Sequence, residues 1–156
     1  MRPGKRFEAE ISKALRALND NIAGFFSMRI LDQARPGIRV PADFLAVYKG
    51  KPTFLECKTS KRTSFPFEKI WKTQVEDLGA AARAGASVWF LVEHRISARE
   101  RELFAIPYWF WLNLLREGKR KSAQWGRLRD EAVVYNLPKA DYFGEKIWRV
   151  DRILLQ

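Results

Sequence analysis

The sequence PADFLAVYKGKPTFLECK, residues Pro41 to Lys58, holds two short apolar runs on either side of a turn. Phe44 to Tyr48 and Thr53 to Cys57 are typical of strands, and the Lys-Gly-Lys-Pro segment between them is typical of a hairpin turn. We therefore expect an antiparallel hairpin with an even-numbered turn centred on Gly50-Lys51. The register of this hairpin decides which side chains share a face.

Three charged side chains fall on one face of the predicted hairpin. With that turn, Asp43 lies opposite Lys58 and Leu45 lies opposite Glu56. Because cross-strand partners and alternate residues share a face, the two carboxylates and the lysine cluster together. The residues between them are expected to point into the core on the other face: Phe44, Ala46, Leu55 and Cys57.

Two neighbouring carboxylates repel each other unless something cancels their charge, and a hard divalent cation does so. The predicted ligands of a Mg²⁺ ion are Asp43, Glu56 and the backbone carbonyl of Cys57, while Lys58 orients a water or neutralises developing charge. This arrangement suits phosphodiester hydrolysis. An Asp followed by a distant Glu-x-Lys also arises by chance, and the alternative is a solvated charge pair.

Two residues outside the hairpin extend the candidate site. Glu8 lies on a predicted helix from Arg6 to Leu18 and can lend a further carboxylate to the metal, directly or through water. Gln74 lies on the next predicted helix and can hold a water or a phosphate. Both residue types are more often simply solvent-facing on a helix.

These segments resemble a known nuclease family. Pro41-Ala42-Asp43 with Glu56-Cys57-Lys58 looks like the PD-(D/E)XK signature, with Ala42 inserted. Gly4-Lys5-Arg6-Phe7-Glu8 and Lys61 to Phe67 are similar to segments of RecU-type Holliday junction resolvases, and the archaeal Hjc-type enzymes are similar at the acidic and lysine positions. Only the loop Asp32 to Arg39 stands where RecU-type enzymes carry a long insertion.

The resemblance implies a homodimer that makes paired nicks across a four-way DNA junction and depends on Mg²⁺, with Mn²⁺ as a substitute. It places Glu8, Asp43, Glu56 and Lys58 in the matching catalytic positions and Gln74 in a supporting one. The apolar-aromatic stretch Phe104 to Leu115 can contribute a dimer interface, or it can be a buried core helix.

The charge balance favours a polyanion as the partner. Lys and Arg number 29 against 18 Asp and Glu, a formal net charge of +11. Phosphate contacts position a duplex without reading its bases, which favours recognition of DNA structure over DNA sequence. The residues expected to contact phosphates lie near the hairpin in sequence: Arg2, Lys5, Arg6, Arg35, Arg39, Lys61, Arg62, Lys69 and Lys72. A second basic tract spans Lys119 to Arg129, either as a DNA contact or as a loop.

The element order predicts an α/β fold with a central mixed sheet flanked by helices. The resemblance implies that this sheet is the restriction-endonuclease-like core and that residues 1–156 form a single nuclease domain. We expect a helix opened by Phe65-Pro66-Phe67 and running to Arg83, a buried strand at Ser87 to Glu93 and a helix from Tyr108 to Arg116. Further short strands are expected near these residues: Phe25 to Leu31, Leu103 to Ile106, Ala132 to Tyr135 and Ile147 to Val150.

Several classes of protein are disfavoured. The chain has one cysteine and one histidine, which excludes an internal disulfide and disfavours a histidine-rich metal site, so a reducing cytoplasm is expected. The sequence contains no run of eighteen uncharged apolar residues, so no membrane span is expected. Two alternatives to a resolvase remain: a PD-(D/E)XK nuclease acting on other DNA in restriction or repair, and a non-catalytic DNA-binding protein on the same fold.

Overall fold

The computed structural model describes residues 1–30 and 41–156. Its helices and strands in chain order are α1 (Pro3–Asn21), β1 (Phe25–Arg29), β2 (Phe44–Tyr48), β3 (Lys51–Ser60), β4 (Ser64–Pro66), α2 (Lys72–Arg83), β5 (Ser87–Arg95), β6 (Arg101–Pro107), α3 (Tyr108–Glu117), β7 (Ser122–Gln124), α4 (Trp125–Asp130), β8 (Tyr135–Leu137), β9 (Lys139–Tyr142), β10 (Glu145–Trp148) and α5 (Asp151–Leu154). A 3-10 turn, Phe67–Lys69, lies between β4 and α2.

A six-stranded mixed sheet forms the centre of the fold, in the order β1-β2-β3-β5-β6-β8. β3 and β5 are parallel, and the other neighbours in this sheet are antiparallel. A parallel pair requires a crossover connection, and α2 supplies it. The predicted α/β class with a central mixed sheet is confirmed. No helix within the two described ranges is long and apolar enough to cross a membrane.

Each face of the sheet carries its own hydrophobic core. On one face α1 packs through the apolar positions of a single helical stripe, joined by α5 and the β9–β10 ribbon; this core includes Phe7, Ile11, Leu15, Leu18, Phe44, Leu55, Leu91 and Trp148. On the other face lie α2, α3 and α4; this core includes Leu78, Phe90, Phe104, Trp111 and Leu128. Phe104 and Trp111 are fully buried, so the stretch Phe104 to Leu115 serves mainly as core.

The helix predicted to open at Phe65 begins instead at Lys72. Residues 64–66 form β4, which pairs with β7 through Phe65 and Ala123. Pro66 explains this, because proline lacks an N–H and pushes the residue before it toward extended backbone. The pairing partner comes from the basic tract Lys119 to Arg129, where the sequence predicted no regular structure and the fold forms β7 and α4.

The C-terminal strands are also displaced from their predicted positions. The strand expected at Ala132 to Tyr135 begins only at Tyr135, where it joins the edge of β6. The strand expected at Ile147 to Val150 is Glu145–Trp148, paired with β9 in a separate ribbon. The turn between β9 and β10 is formed by Phe143 and Gly144, which both have positive φ, and this tight turn sets the pairing of the two strands.

Candidate active site

The β2–β3 hairpin turns at Lys49 and Gly50, which have φ of 52° and 75°. Positive φ at both central residues is the pattern of the two-residue type I′ turn, in which glycine is favoured. Tyr48 therefore pairs with Lys51 and Phe44 with Leu55. The predicted centre, Gly50-Lys51, is wrong by one position.

This changes the predicted partners but keeps the predicted faces. Continuing the register by one residue places Asp43 opposite Glu56, and not opposite Lys58. Likewise Leu45 pairs with Phe54, and not with Glu56. A shift of two residues in the pairing preserves the alternation of faces, so Asp43, Glu56 and Lys58 still share one face. Phe44, Ala46, Leu55 and Cys57 point into the α1 core, as predicted.

Asp43 is half-buried at the start of β2 and accepts a 2.8 Å hydrogen bond from the backbone N–H of Cys57 through Oδ2. Burial, together with the neighbouring charges of Glu56 and Glu8, raises the pKa of Asp43 to about 7. The hydrogen bond from Cys57 and the charge of Lys58 act on this pKa in the opposite direction. The carboxyl of Asp43 therefore lies where negative charge is costly.

Glu56 is buried on β3, with a relative exposure of 4%. Its Oε1 accepts a 2.7 Å hydrogen bond from Nε2 of Gln74 and forms an ion pair with Nζ of Lys58 at 3.0 Å. Its Oε2 has no hydrogen bond to any residue in the described ranges. Among the described residues, one oxygen is thus held in place by the protein and the second is available to a cation or a water.

Gln74 reaches this site because of the way α2 begins. Trp71 is the N-cap of the helix, and its backbone N–H donates to Oε1 of Gln74 at 3.4 Å. A Gln at the third helical position commonly reaches back to the N-cap in this way. With its carbonyl oxygen occupied, the amide presents its Nε2 to Glu56. The predicted downstream glutamine therefore lies beside the predicted carboxylate.

Glu8 lies at the border of the site. Its carboxylate forms ion pairs with Arg29 and with Lys5, the latter at 3.4 Å. Its charge is close enough to raise the pKa of Asp43. The structure thus places Glu8 close enough to the hairpin for its charge to act on Asp43. The carboxylate of Glu8 is itself paired with Arg29 and Lys5.

A buried ionic network, which the sequence did not indicate, anchors α1 to the sheet. Glu93 on β5 is fully buried and binds Nη1 of Arg101 at 2.8 Å and the hydroxyl of Thr59 at 2.7 Å. The same Arg101 nitrogen donates to Glu10 of α1 at 2.9 Å. A full charge inside the sheet is stable only when it is paired, and this pairing fixes the helix that carries Glu8.

The basic residues predicted to contact phosphates fall into three groups. Those with exposed side chains are Arg2, Lys5, Lys61, Arg62 and Lys72. Arg6 lies 3.8 Å from both Glu10 and Glu93, and Nζ of Lys69 donates to the carbonyl of Thr59 at 3.2 Å, so these two cations also have internal partners. Arg35 and Arg39 lie outside the described residues.

Cys57 and His94, the chain's single cysteine and histidine, are both packed against other side chains of the fold. The side chain of Cys57 is buried in the α1 core, and burial raises the pKa of its thiol. His94 stacks on the ring of Trp125 with centroids 4.1 Å apart, and burial lowers the pKa of the imidazole. Neither surrounding favours a nucleophile or a general base.

The aromatic residues near the site differ from one another in exposure. Phe65 is fully buried, and Phe67 packs edge-on against Trp111 with centroids 5.2 Å apart, so both contribute to packing. Trp71, in contrast, is 68% exposed. The sequence did not single out Trp71, because the predicted helix began at Phe65 and placed the tryptophan within it.

The donor set suits a hard cation. Mg²⁺ is commonly bound by one or two carboxylates together with waters and substrate phosphate, and Asp43 and Glu56 offer two close carboxylates. The raised pKa of Asp43 reflects burial together with uncompensated negative charge, which a bound cation would relieve. Within residues 1–30 and 41–156, no group of three or more His, Cys, Asp or Glu side chains is arranged to hold a metal. Further ligands would be waters, phosphate oxygens or a backbone carbonyl such as that of Cys57.

No protein-family model and no curated protein sequence matches the chain. Among solved structures, it is similar to Hjc from Archaeoglobus fulgidus, a Holliday junction resolvase from an archaeal hyperthermophile, with 20% identity and a TM-score of 0.44. The match covers 65% of this chain and 76% of that chain. A likeness at this level does not assign residues or substrate, which depend on the site itself.

Proposed function

We propose that this protein is a metal-dependent endonuclease that resolves four-way DNA junctions by paired phosphodiester hydrolysis. The observation that carries the proposal is the convergence of Asp43, Glu56 and Lys58 on one face of the hairpin, with Gln74 hydrogen-bonded to Glu56. Two carboxylates and an ammonium that are withdrawn from solvent are costly to maintain unless they serve a cation and a phosphate.

Each residue has a role that follows from its contacts. Asp43 and Glu56 would hold the metal, and Gln74 keeps the carboxylate of Glu56 in one orientation. Lys58, whose ammonium lies 3.0 Å from Glu56, donates to the attacking water or to a phosphate oxygen. Glu8 lends negative charge at the border of the site, directly or through water. Mg²⁺ or Mn²⁺, when bound, lowers the pKa of a coordinated water and neutralises charge on the phosphate.

The proposed substrate is DNA with interrupted helical structure. The formal charge of +11 favours a polyanion, and phosphate contacts do not read base sequence. The exposed cations Lys61 and Arg62 directly follow β3, which carries Glu56 and Lys58. Phosphates on either side of a scissile bond can therefore be held by the continuation of the same chain segment.

The proposed assembly is a homodimer, because a four-way junction has approximate two-fold symmetry and paired nicks require two matched sites. The outer face of β1 offers an apolar surface for this contact. Phe26 and Met28 are 56% and 48% exposed, and they lie beside Val47 and Leu45 in the sheet. Asp43 lies on the same face of β2 as Leu45, so a second copy bound there would lie close to the site.

Two other functions remain candidates. A nuclease with the same site can act on linear or flapped DNA in restriction or repair, and a non-catalytic protein can use the same basic surface for binding alone. The first predicts cutting of duplex DNA, and the second predicts binding without cutting. The presence of Asp43, Glu56 and Lys58 together favours a nuclease over a scaffold.

The test is cleavage of a labelled four-way junction beside a linear duplex of the same sequence, with Mg²⁺ and with EDTA. Glu56→Gln removes the proposed ligand, and Glu76→Gln, on the exposed side of α2, serves as the matched control. We expect paired, symmetric nicks in the junction only, and loss of these nicks with EDTA or with Glu56→Gln. Binding of DNA by Glu56→Gln should persist, because the change removes negative charge near phosphate.

Each other outcome rejects part of the proposal. Equal cutting of the duplex would retain the nuclease and remove junction selectivity. Binding without cutting by the wild-type protein would favour the scaffold. Cutting by Glu56→Gln at the rate of Glu76→Gln would show that the hairpin carboxylates are not the metal site.

A further inference from the structure

Trp71 is exposed in a way that the fold does not explain. Its side chain is 68% exposed, although an indole of this size stabilises a protein most when it is buried. Within the described residues, no ring stacks on the indole and no group hydrogen-bonds to its N–H. The contribution of Trp71 to the fold comes from its backbone, which caps α2 and would do so with other side chains.

The position of Trp71 gives the exposed ring a functional setting. Its backbone N–H donates to Oε1 of Gln74 at 3.4 Å, and Nε2 of Gln74 donates to Glu56 at 2.7 Å. Two hydrogen bonds thus connect this residue to the proposed metal ligand. The next residue, Lys72, is an exposed cation. An aromatic ring beside a cation at the border of a phosphate-cutting site has the composition of a surface that binds nucleic acid.

The chemistry of stacking distinguishes branched DNA from continuous duplex. Every base presents an aromatic face, and an indole can stack on that face regardless of sequence. In a continuous duplex these faces are covered by the neighbouring base pairs. At a branch point the stack is interrupted and a face is free. An exposed indole therefore has a partner in branched DNA that continuous duplex lacks.

We propose that Trp71 stacks on the base pair left uncovered at a branch point and thereby directs the adjacent phosphate to the site. This inference rests on the proposed nuclease function and supplies it with a physical basis for choosing branched DNA. Phe65 and Phe67 cannot take this role, since the first is fully buried and the second packs against Trp111.

The test measures binding in EDTA, so that it does not depend on cutting. Fluorescence anisotropy compares a labelled four-way junction with a continuous duplex for the wild-type protein, Trp71→Ala and Trp71→Phe. Trp109→Ala is the matched control, because Trp109 is 53% exposed at the start of α3, an element that carries none of the proposed site residues. We expect Trp71→Ala to weaken junction binding by about tenfold to hundredfold.

Duplex binding should be unchanged in Trp71→Ala, and Trp71→Phe should retain most of the affinity for the junction. A 2-aminopurine placed at the branch point should lose fluorescence when the wild-type protein binds, and it should keep its fluorescence with Trp71→Ala bound at saturation. This signal reports stacking itself, which a merely structural role of Trp71 would not change.

Three results would overturn the proposal: equal loss of junction and duplex binding in Trp71→Ala, the same loss in Trp109→Ala, or unchanged 2-aminopurine fluorescence on binding of the wild-type protein. Failure of the wild-type protein to cut DNA would remove the nuclease proposal alone. Junction binding that depends on Trp71 would still establish the stacking contact in that case.

Discussion

At the residue scale, Asp43 destabilises the folded chain when it is ionised, and it is also a proposed metal ligand. Its carboxyl is half-buried beside Glu56, and its pKa is raised to about 7. In an unfolded chain an Asp titrates near its ordinary value of about 3.9. The folded state therefore binds more protons than the unfolded state between these two pH values, and stability falls as the pH rises through this window.

We expect Asp43→Asn to stabilise the metal-free protein. At pH 8 in EDTA the gain should be on the order of 2 kcal/mol, or about 5 °C in Tm, because the variant avoids the cost of ionising a buried carboxyl. The gain should become small near pH 4, where Asp43 is protonated in the folded state and about half protonated in the unfolded state. Thermal unfolding followed by circular dichroism from pH 4 to pH 8 measures this difference.

Asp141→Asn on β9 is the control, since Asp141 is exposed and should give no such pH-dependent gain. Added Mg²⁺ should raise the Tm of the wild-type protein and not that of Asp43→Asn, because only the native site gains a ligand. If Asp43→Asn is less stable than the wild-type protein at pH 8 in EDTA, ionising the buried carboxyl of Asp43 does not destabilise the fold.

Gln74 is expected to act through Glu56. Removing its amide in Gln74→Ala leaves the ion pair with Lys58 as the remaining contact to Oε1 of Glu56 among the described residues, and it frees the carboxylate to rotate. Partners that orient metal ligands typically contribute about 10- to 100-fold to metal affinity or activity, and we expect a loss of that size. Titration of cleavage rate against Mg²⁺ measures it, with Gln124→Ala on the exposed edge of β7 as the control. Unchanged Mg²⁺ dependence in Gln74→Ala would exclude this role.

At the scale of the elements, the hairpin shows what a pattern of residues can and cannot predict. The alternation of apolar and charged residues was sufficient to place Asp43, Glu56 and Lys58 on one face. Side chains two residues apart in a strand point to the same face, and this holds whether or not the pairing shifts by two. The pairing was wrong by two residues because it depends on the turn. Lys49 adopts positive φ, which few non-glycine residues do, and local composition did not reveal this.

Long-range pairings were the other part of the fold that the sequence did not predict. Phe65 pairs with Ala123, and this pairing decides that residues 64–66 are a strand and not the start of a helix. The ionic network around Glu93 joins α1, β3, β5 and β6 in the same way. Helical periodicity, in contrast, is local, and it correctly predicted a helix over Arg6 to Leu18, which lies within α1.

The basic tract from Lys119 to Arg129 separates into two parts in the folded chain. Arg127 forms a two-point ion pair with Glu117, and Arg129 forms one with Glu102. Arg120 and Lys121 have no ion pair within the described residues, and they line a cleft of about 740 Å³ together with Arg62. The cleft is held together by a hydrogen bond from Phe67 N–H to the carbonyl of Lys121.

We predict that the cleft binds phosphates and that the paired arginines do not. The slope of log affinity against log salt falls by about 0.9 for each phosphate that the protein no longer neutralises, so Arg120→Gln with Lys121→Gln should reduce the slope by about 2. Arg127→Gln is the control, and its slope should match the wild-type slope. Anisotropy with a junction at several salt concentrations measures both. Equal slopes for the two variants would place DNA elsewhere.

At the scale of the whole molecule, the two faces of the sheet have different coverage. Helices cover the sheet from β3 to β6 on both sides, whereas the outer face of β1 and β2 leaves Phe26 and Met28 exposed. An apolar surface at a sheet edge is a liability unless another molecule covers it. Because this surface adjoins Asp43, a dimer formed there would place two sites near a common axis.

We therefore predict that wild-type protein sediments as a dimer at micromolar concentration and that Phe26→Lys with Met28→Lys sediments as a folded monomer. A charged side chain at each position leaves an unpaired cation at the interface, and a two-fold interface repeats that cost on both copies. On a supercoiled plasmid with an extruded cruciform, the dimer should give linear product through paired cuts, and the monomer should give mainly nicked circles.

Phe143→Lys is the matched control for this prediction, because Phe143 is 51% exposed at the β9–β10 turn on a different part of the surface. Its variant should remain a dimer and should linearise the plasmid. Circular dichroism of the double variant should match that of the wild-type protein, so that a failure of paired cutting reflects assembly and not unfolding. If the double variant still sediments as a dimer, the interface lies on another surface. If the monomer still linearises the plasmid, paired cutting does not require two linked sites.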